Sequence, residues 1–192
     1  MSGPKIGVLA LQGAFAEHAA AFQSLGAHAV EVRQPEALSG IDALVLPGGE
    51  STTMSMLLTS SGLFDGIARL IADGMAVMGT CAGLILLATD VGDGRPDQRS
   101  FAALDVAVLR NGYGRQRDSF ETPLPVDGLS GGTFPAVFIR APRISRVGAE
   151  VDVLASVGDD PVLVRQGRIL AAAFHPELSG DVRLHQMFLG GI

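Results

Sequence analysis

The sequence predicts an α/β protein built as a three-layer α/β/α sandwich around a mainly parallel central sheet. Short apolar runs of strand length alternate with helix-like segments through the first half of the chain, as is typical of parallel sheets covered on both faces. Apolar residues make up 47% of the chain and charged residues only 18%, which indicates a largely buried sheet. The length of 192 residues suits one domain, and we expect residues 1–192 to form it.

Glycines and prolines separate the predicted elements of the first half. Ile6 to Leu11 is an apolar run of strand length, and Ala14 to Leu25 shows helical spacing that Gly26 ends. Ser51 or Thr52 is placed to cap the helix that continues through Leu58. The other elements predicted here are strands at Ala29 to Val32, Ala43 to Leu46 and Ala76 to Met78, and helices at Phe64 to Ala72 and Ala82 to Thr89.

The second half of the sequence predicts further short strands. Gly92 to Ser100 is polar and rich in turn residues, so it is predicted as a surface loop. Gln166-Gly167 lies between two strand-like runs and indicates a hairpin. The elements predicted here are strands at Val106 to Leu109, Ala136 to Ile139, Val151 to Val157, Val162 to Arg165 and Ile169 to Phe174, and a closing helix at Asp181 to Leu189.

Charge and cysteine content argue against several classes of function. The net charge is −6 and no Lys/Arg cluster stands out, so we expect no nucleic-acid partner. The single cysteine allows no internal disulfide and fits the reducing cytoplasm. Neither CxxC nor HExxH is present, so we expect no metal site. The uncharged run from Gly74 to Thr89 is too short for a membrane helix, and we expect no membrane association.

The only cysteine lies in Gly79-Thr80-Cys81-Ala82-Gly83, between a predicted strand and a predicted helix. This arrangement is typical of a nucleophile elbow, in which a sharp turn presents the reactive side chain at the start of a helix. The positive end of the helix dipole favours the thiolate, which is the nucleophilic form. The alternative is that Cys81 is a small core residue, since free cysteines are often buried.

Two further segments lie at predicted strand ends. Pro47-Gly48-Gly49-Glu50-Ser51-Thr52 follows a strand and opens a helix, and its N–H groups suit an anion, either a phosphate or an acyl-transfer oxyanion. A plain strand-to-helix turn is the alternative. In His175-Pro176-Glu177, an extended backbone would project both titratable side chains to one side, where the carboxylate could orient an imidazole base. A surface histidine beside a turn is the alternative.

Because the carboxyl ends of parallel strands share one edge of a sheet, we expect the thiol, the imidazole and the glycine-rich turn to converge there. Arginines near the same edge are candidates to bind a substrate carboxylate, with solvated surface positions as the alternative. These arginines are Arg110, Arg115, Arg117 and Arg140.

The other three histidines lie away from the predicted carboxyl ends of strands. His18, beside Glu17 in the first helix, is expected to be solvated, and His28 and His185 lie in a strand start and the last helix. We expect none of the three to be catalytic.

These motifs resemble those of the class I (triad) glutamine amidotransferases, whose fold is flavodoxin-like. More selective segments narrow the resemblance to the family of glutaminase subunits of pyridoxal 5'-phosphate synthase, and it spans nearly the whole chain. Gly112-Tyr113 departs from it, since Ser-Phe is frequent there in the family. The segments that carry the resemblance are Gly7 to Gly13, Pro47 to Met54, Gly79 to Leu84, Arg110 to Gln116, Phe138 to Pro142 and Phe174 to Leu178.

The resemblance implies hydrolysis of L-glutamine to glutamate and ammonia through a thioester on Cys81, with His175 moving protons and Glu177 supporting His175. It implies that the ammonia passes to a barrel-shaped synthase subunit within a large hetero-oligomer. Pyridoxal 5'-phosphate is then the product of the complex, and no cofactor is expected in this chain. The isolated chain is expected to be monomeric and nearly inactive. The resemblance further implies an oxyanion hole at Gly48, Gly49 and Ala82, glutamine binding at Gly49, Glu50, Ser51, Arg110, Ile139 and Arg140, and a partner contact at Gln12.

Three alternatives stay open at the level of sequence. An amidotransferase of histidine, purine or pyrimidine synthesis would share GxCxG and HPE, although the more selective segments argue against it. A cysteine peptidase or related hydrolase could use a similar scaffold and would cleave peptides. A non-catalytic binding module would require the three motifs to meet at strand ends by accident.

Overall fold

A seven-stranded sheet forms the centre of the computed structural model, which describes residues 3–110, 112 and 119–192. The strands are β1 (Lys5–Leu9), β2 (His28–Val32), β3 (Ala43–Leu46), β4 (Ala76–Thr80), β5 (Ala88–Val91), β6 (Leu104–Leu109), β7 (Ser119–Leu124), β8 (Phe134–Ile139), β9 (Arg143–Val147), β10 (Asp152–Val157), β11 (Asp160–Gln166) and β12 (Ile169–Ala172). The α-helices are α1 (Phe15–Ser24), α2 (Ser51–Ser60), α3 (Leu63–Ala72), α4 (Ala82–Leu87) and α5 (Arg183–Leu189), and short 3-10 helices span Pro35–Leu38 and Pro176–Leu178.

The strand order of the central sheet is β10-β11-β12-β4-β3-β1-β2. The pairs from β12 through β2 are all parallel, while β10, β11 and β12 are joined by antiparallel pairs. The predicted hairpin at Gln166-Gly167 is confirmed, because Gln166 pairs with Ile169 across the β11–β12 turn. The predicted mainly parallel α/β architecture is therefore confirmed.

The middle of this sheet is buried on both faces. Every residue of β3, β4 and β12 is buried, which is why these strands read as unbroken apolar runs in the sequence. The parallel pairing places the carboxyl ends of β1, β3, β4 and β12 along one edge. The functional residues follow these four ends.

Two smaller sheets lie beside that edge. One has the order β5-β6-β9, and the other is the antiparallel hairpin β7–β8. Aromatic contacts hold the β7–β8 hairpin against the segment after β12. The ring centroid of Phe174 lies 5.4 Å from that of Phe138 and 5.9 Å from that of Phe134. This contact brings the end of β8 next to the segment that follows β12.

Several sequence-based boundaries were wrong in detail. Strands β5, β7 and β9 were not predicted, and the helix expected over Ala82 to Thr89 ends at Leu87. The N-cap of α2 is Glu50 rather than Ser51 or Thr52: its carboxylate accepts hydrogen bonds from the N–H groups of Thr52 and Thr53. Within the described residues, no helix is long and apolar enough to cross a membrane.

Candidate active site

Four segments converge where the parallel strands end. Gln12 lies three residues beyond β1, Gly48 two residues beyond β3, Cys81 directly after β4, and His175 three residues beyond β12. Since these strands are neighbours in the sheet, their loops meet at one edge. The predicted convergence of the cysteine, the histidine and the glycine-rich turn is thus confirmed in the structure.

The turn at Cys81 has the geometry of a nucleophile elbow. Cys81 has φ 49° and ψ −101°, a strained conformation for a residue with a side chain, and its N–H donates to Ala172 O at 2.8 Å. Helix α4 starts at the next residue and packs directly on β3. A Cβ on Gly83 would overlap the carbonyl oxygen of Leu46, so only glycine fits there. The flanking glycine therefore allows the close packing that presents the sulfur.

His175 and Glu177 form a buried pair. The Nδ1 of His175 lies 2.7 Å from Oε1 of Glu177, whose side chain is fully buried. The backbone N–H of His175 donates to Val137 O at 2.8 Å, which ties the segment to β8. The expected extended backbone was wrong, because Glu177 lies within the 3-10 helix Pro176–Leu178. The expected pairing of imidazole and carboxylate nevertheless forms.

The imidazole of His175 is also hydrogen-bonded to the sulfur of Cys81. Burial alone would lower the pKa of His175, but hydrogen bonds to Cys81 and Glu177 and their negative charges outweigh it and raise the pKa to about 10. Burial alone would raise the pKa of Glu177, yet hydrogen bonds from His175 and His18 and the charge of His175 lower it to about 2. At neutral pH the pair is therefore an imidazolium beside a carboxylate, and Nε2 is left to face the sulfur.

The glycine-rich turn is held on both sides. The carbonyl oxygen of Gly48 accepts from Ala14 N–H at 3.1 Å, and the N–H of Glu50 donates to Oε1 of Gln12 at 2.8 Å. Among the described residues, the N–H of Gly49 has no acceptor. In the planar trans peptide, the N–H of Gly49 points opposite to the carbonyl of Gly48. Because that carbonyl faces Ala14, the N–H of Gly49 points away from Ala14.

Glu50 joins the turn to Arg110. Its Oε1 accepts from Nη2 of Arg110 at 2.8 Å, and its Oε2 accepts from Thr53 N–H at 2.7 Å. Burial alone would raise the pKa of Glu50, but the hydrogen bonds from Thr53 and Thr52 and the charge of Arg110 lower it. The backbone N–H of Arg110 donates to the Asp93 carboxylate at 2.6 Å, so Arg110 is fixed at both ends.

A cavity of about 380 Å³ opens above the cysteine, large enough for a small amino acid. Gly48, Ala82 and Glu177 are not among its lining residues, and Glu177 lies behind His175. Ile85 lines the cavity and was missed, although its place four residues after Cys81 puts it on the same helix face. The lining comprises Gln12, Gly49, Glu50, Ser51, Cys81, Ile85, Arg110, Ile139, Arg140 and His175.

Comparison with known proteins identifies the family. The model of the SNO glutamine amidotransferase family matches residues 8–192. The chain belongs to this family. It is 54% identical to a pyridoxal 5'-phosphate synthase subunit PdxT from Frankia alni, over 98% of this chain and 95% of the relative. It is 53% identical to a PdxT from Mycobacteroides abscessus, over 97% of this chain and 96% of that relative.

A solved structure supports the same assignment. A crystal structure described as a glutamine amidotransferase superposes with a TM-score of 0.91 at 50% identity, covering 97% of this chain and 99% of that one. The expected class I amidotransferase-like fold is confirmed.

One histidine of this amidotransferase differs from expectation. His18 was expected to be solvated, but it is fully buried, and its Nε2 lies 3.3 Å from Oε2 of Glu177. His185 is also fully buried and contacts His18. The error arose because both partners of His18 lie far away in the chain. His28 is exposed at the start of β2.

Two arginines proposed for substrate binding, Arg115 and Arg117, lie outside the described residues of this amidotransferase. Within residues 3–110, 112 and 119–192, no group of three or more His, Cys, Asp or Glu side chains is placed to hold a metal ion.

A Gly48→Ala substitution tests how tightly the turn packs on the imidazole. The added Cβ would overlap Cε1 of His175 and lie 2.8 Å from its Nδ1, so the ring must move off the sulfur or off Glu177. We expect a fall in kcat of at least about tenfold, because small displacements of catalytic groups are costly. Steady-state glutamine hydrolysis measures it.

Gly190→Ala is the matched control for this change. Gly190 has a helical φ of −69°, and a Cβ there would meet only carbonyl oxygens at 3.5 Å or more. We expect this variant to keep wild-type activity. Equal activity in both variants would show that His175 does not depend on the space above Gly48.

Proposed function

We propose that this chain is the glutaminase subunit of pyridoxal 5'-phosphate synthase, with residues 1–192 acting as one domain. Hydrolysis of L-glutamine here supplies ammonia to a partner synthase subunit. The observation that carries the proposal is the Cys81–His175–Glu177 arrangement, in which Cys81 and His175 line a cavity and Glu177 lies behind His175, in a chain whose relatives at 53–54% identity are named pyridoxal 5'-phosphate synthase subunit PdxT.

The first half of the reaction forms a thioester. The Cys81 sulfur attacks the side-chain amide carbon of glutamine, and the carbonyl π electrons move onto its oxygen. The N–H groups of Gly49 and Ala82, on the Gly48-Gly49 turn and at the start of α4, receive this oxyanion. His175 donates its proton to the departing nitrogen, and the carbon–nitrogen bond breaks to release ammonia.

The second half regenerates the cysteine. His175, now neutral, takes a proton from water, and the resulting hydroxide attacks the thioester carbon. The carbon–sulfur bond breaks, and the sulfur departs as a thiolate beside the imidazolium. The new carboxyl group loses its proton to solvent, and glutamate leaves. Glu177 stays ionised throughout, because its pKa of about 2 lies far below neutrality, and it stabilises the charged ring.

Specificity for free glutamine would come from the charged rim of the cavity. Arg110 and Arg140 are the cationic residues of the lining and are proposed to bind the α-carboxylate, with Glu50 and Ser51 near the α-amino group and Ile139 against the side chain. No cofactor is required, since sulfur and imidazole supply the chemistry. A single cysteine with no disulfide partner in the sequence fits a reducing compartment, and we place the protein in the cytoplasm.

The partner is proposed to act through Gln12. This side chain lines the cavity and accepts from the N–H of Glu50, directly after the Gly48-Gly49 peptide. A subunit that contacts Gln12 would therefore shift the loop that carries an oxyanion donor. The proposed partner is the barrel-shaped synthase subunit, in a hetero-oligomer.

Ammonia release from glutamine, with and without that synthase subunit, tests the proposed function. We expect little release by the isolated chain and a rise of at least about tenfold in the complex, because one oxyanion donor is worth about 10²–10³ in kcat. Full activity in the isolated chain, unchanged by the subunit, would remove the partner from the mechanism. Peptide cleavage without glutamine turnover would favour a peptidase instead.

A further inference from the structure

A buried pair of histidines lies behind the proposed triad. His18 comes from α1 and His185 from α5, and both side chains are fully buried. The Nδ1 of His18 lies 3.0 Å from Nε2 of His185, and its Nε2 lies 3.1 Å from the hydroxyl of Thr80. Thr80 directly precedes Cys81. Neither histidine lines the cavity, so neither contacts substrate in the proposed reaction.

The pair faces the outer oxygen of Glu177. Oε1 of this carboxylate is used by His175, whereas Oε2 has no well-aligned hydrogen bond from the described part of the chain. The Nε2 of His18, at 3.3 Å, is the nitrogen placed to meet it. The titratable groups that face His18 are Glu177, from the 3-10 helix, and His185, from α5.

The chemistry of these groups determines where the protons lie. A carboxylate only accepts hydrogen bonds, so the Nε2 of His18 must carry a proton, directed between Oε2 of Glu177 and the Thr80 hydroxyl. The Nδ1 of His18, 3.0 Å from Nε2 of His185, is then assigned as the acceptor of the Nε2–H of His185. Burial disfavours a charged ring and lowers the pKa of His185 to about 3, so His185 stays a neutral donor.

We propose that His18, with its tautomer set by His185, is a positioning residue that holds the Glu177 carboxylate against His175 during glutamine hydrolysis. This inference rests on the function proposed above. When His18 holds Oε2 of Glu177, Oε1 stays within hydrogen-bond distance of the His175 ring. The carboxylate then remains ionised while that ring gains and loses its proton. Two imidazoles buried with a carboxylate cost more free energy than apolar side chains of the same volume would, which argues against a purely space-filling role.

Two substitutions at one position separate positioning from packing. His18→Leu keeps bulk but removes both polar atoms, whereas His18→Gln keeps a donor for Glu177 and an acceptor for His185. We expect kcat in the synthase complex to fall about 10- to 100-fold in His18→Leu and to recover to within about threefold in His18→Gln. The KM should change little in both, and only His18→Leu should move the acidic limb of the pH profile upward. His28→Leu, at an exposed histidine, is the control and should match the wild type.

Histidine side-chain ¹⁵N NMR on the wild-type chain gives a readout that does not depend on activity or on the folding of a variant. We expect Nε2–H on both His18 and His185. A bare Nε2 on His18 would overturn the proposal, as would wild-type kcat in His18→Leu or equal losses in the Leu and Gln variants. If the wild-type complex itself released no ammonia, the proposed function would fail, and the NMR result would still decide where the His18 proton lies.

Discussion

Replacing Cys81 with alanine is expected to reduce glutamine hydrolysis in the synthase complex by about 10⁴-fold or more, because the thioester can no longer form. The side chain is small and only 7% exposed, and the alanine Cβ occupies the same position in the strained turn. The fold and the association with the synthase subunit should therefore persist. Ammonia release and glutamate formation at saturating glutamine measure the loss.

Ser24→Ala is the matched control for this substitution. Ser24 lies at the end of α1, is exposed, and bonds only to the carbonyl oxygen of Ala21 among the described residues. It should retain wild-type activity. If Cys81→Ala retained activity within about tenfold of wild type, the nucleophile would lie elsewhere and Cys81 would be a core residue.

Replacing Glu177 with glutamine should have the second largest effect. The amide keeps the volume of the side chain but removes the charge that stabilises the His175 imidazolium, and its NH₂ group can force the ring into the wrong tautomer. We expect kcat to fall about 10²- to 10⁴-fold with a small change in KM, because Glu177 is absent from the cavity lining. The same chemical change at the exposed Glu17 should leave kcat unchanged.

Glu177→Gln should also change how the free energy of unfolding depends on pH in acidic solution. The pKa of Glu177 falls from 4.5 to about 2 on folding, so its stabilising contribution is fully present above pH 4.5 and is lost as pH falls toward about 2. In Glu177→Gln this loss is missing. The free energy of unfolding should therefore fall less steeply in that window, by up to about 1.4 kcal/mol per pH unit. Urea unfolding at several pH values measures the slope, and equal slopes in both proteins would mean that the folded carboxylate is not stabilised.

The sequence was sufficient to predict the central sheet because its middle strands are buried on both faces. Strands β3 and β12 and the first part of β4 appear as continuous apolar runs, and Pro47-Gly48-Gly49 marks the end of β3. Strands β7 and β9 could not be found in this way. Exposed and half-buried residues alternate in β7, where only Leu124 is buried and which also contains Pro123, and β9 includes two arginines, so tertiary pairing determines both strands.

The proximity of Cys81 and His175 was predictable for a related reason, since each residue follows a strand of one parallel sheet. Glu177 was paired correctly with His175 although the backbone between them is a 3-10 helix, because short separation keeps the side chains within reach. The Glu50 cap was missed because glutamate is not among the preferred N-cap residues.

The role of His18 required the folded structure. Its position four residues before Phe22 was a signal that it lies on the buried face of α1. Its partners Glu177 and His185 are more than 150 residues away in the chain, with separation 167 for the His185 pair. Contacts at that distance cannot be read from the periodicity of a single sequence.

The most direct test of the account uses a glutamine analogue with an electrophilic ketone in place of the side-chain amide, applied to the complex with the synthase subunit. Mass spectrometry of the digested protein locates the covalent adduct. We expect one adduct per chain, on Cys81, with glutamine protecting against it and Glu177→Gln slowing it. An adduct on any other residue, or none while glutamine is still being hydrolysed, would contradict the assignment of Cys81 as the attacking group.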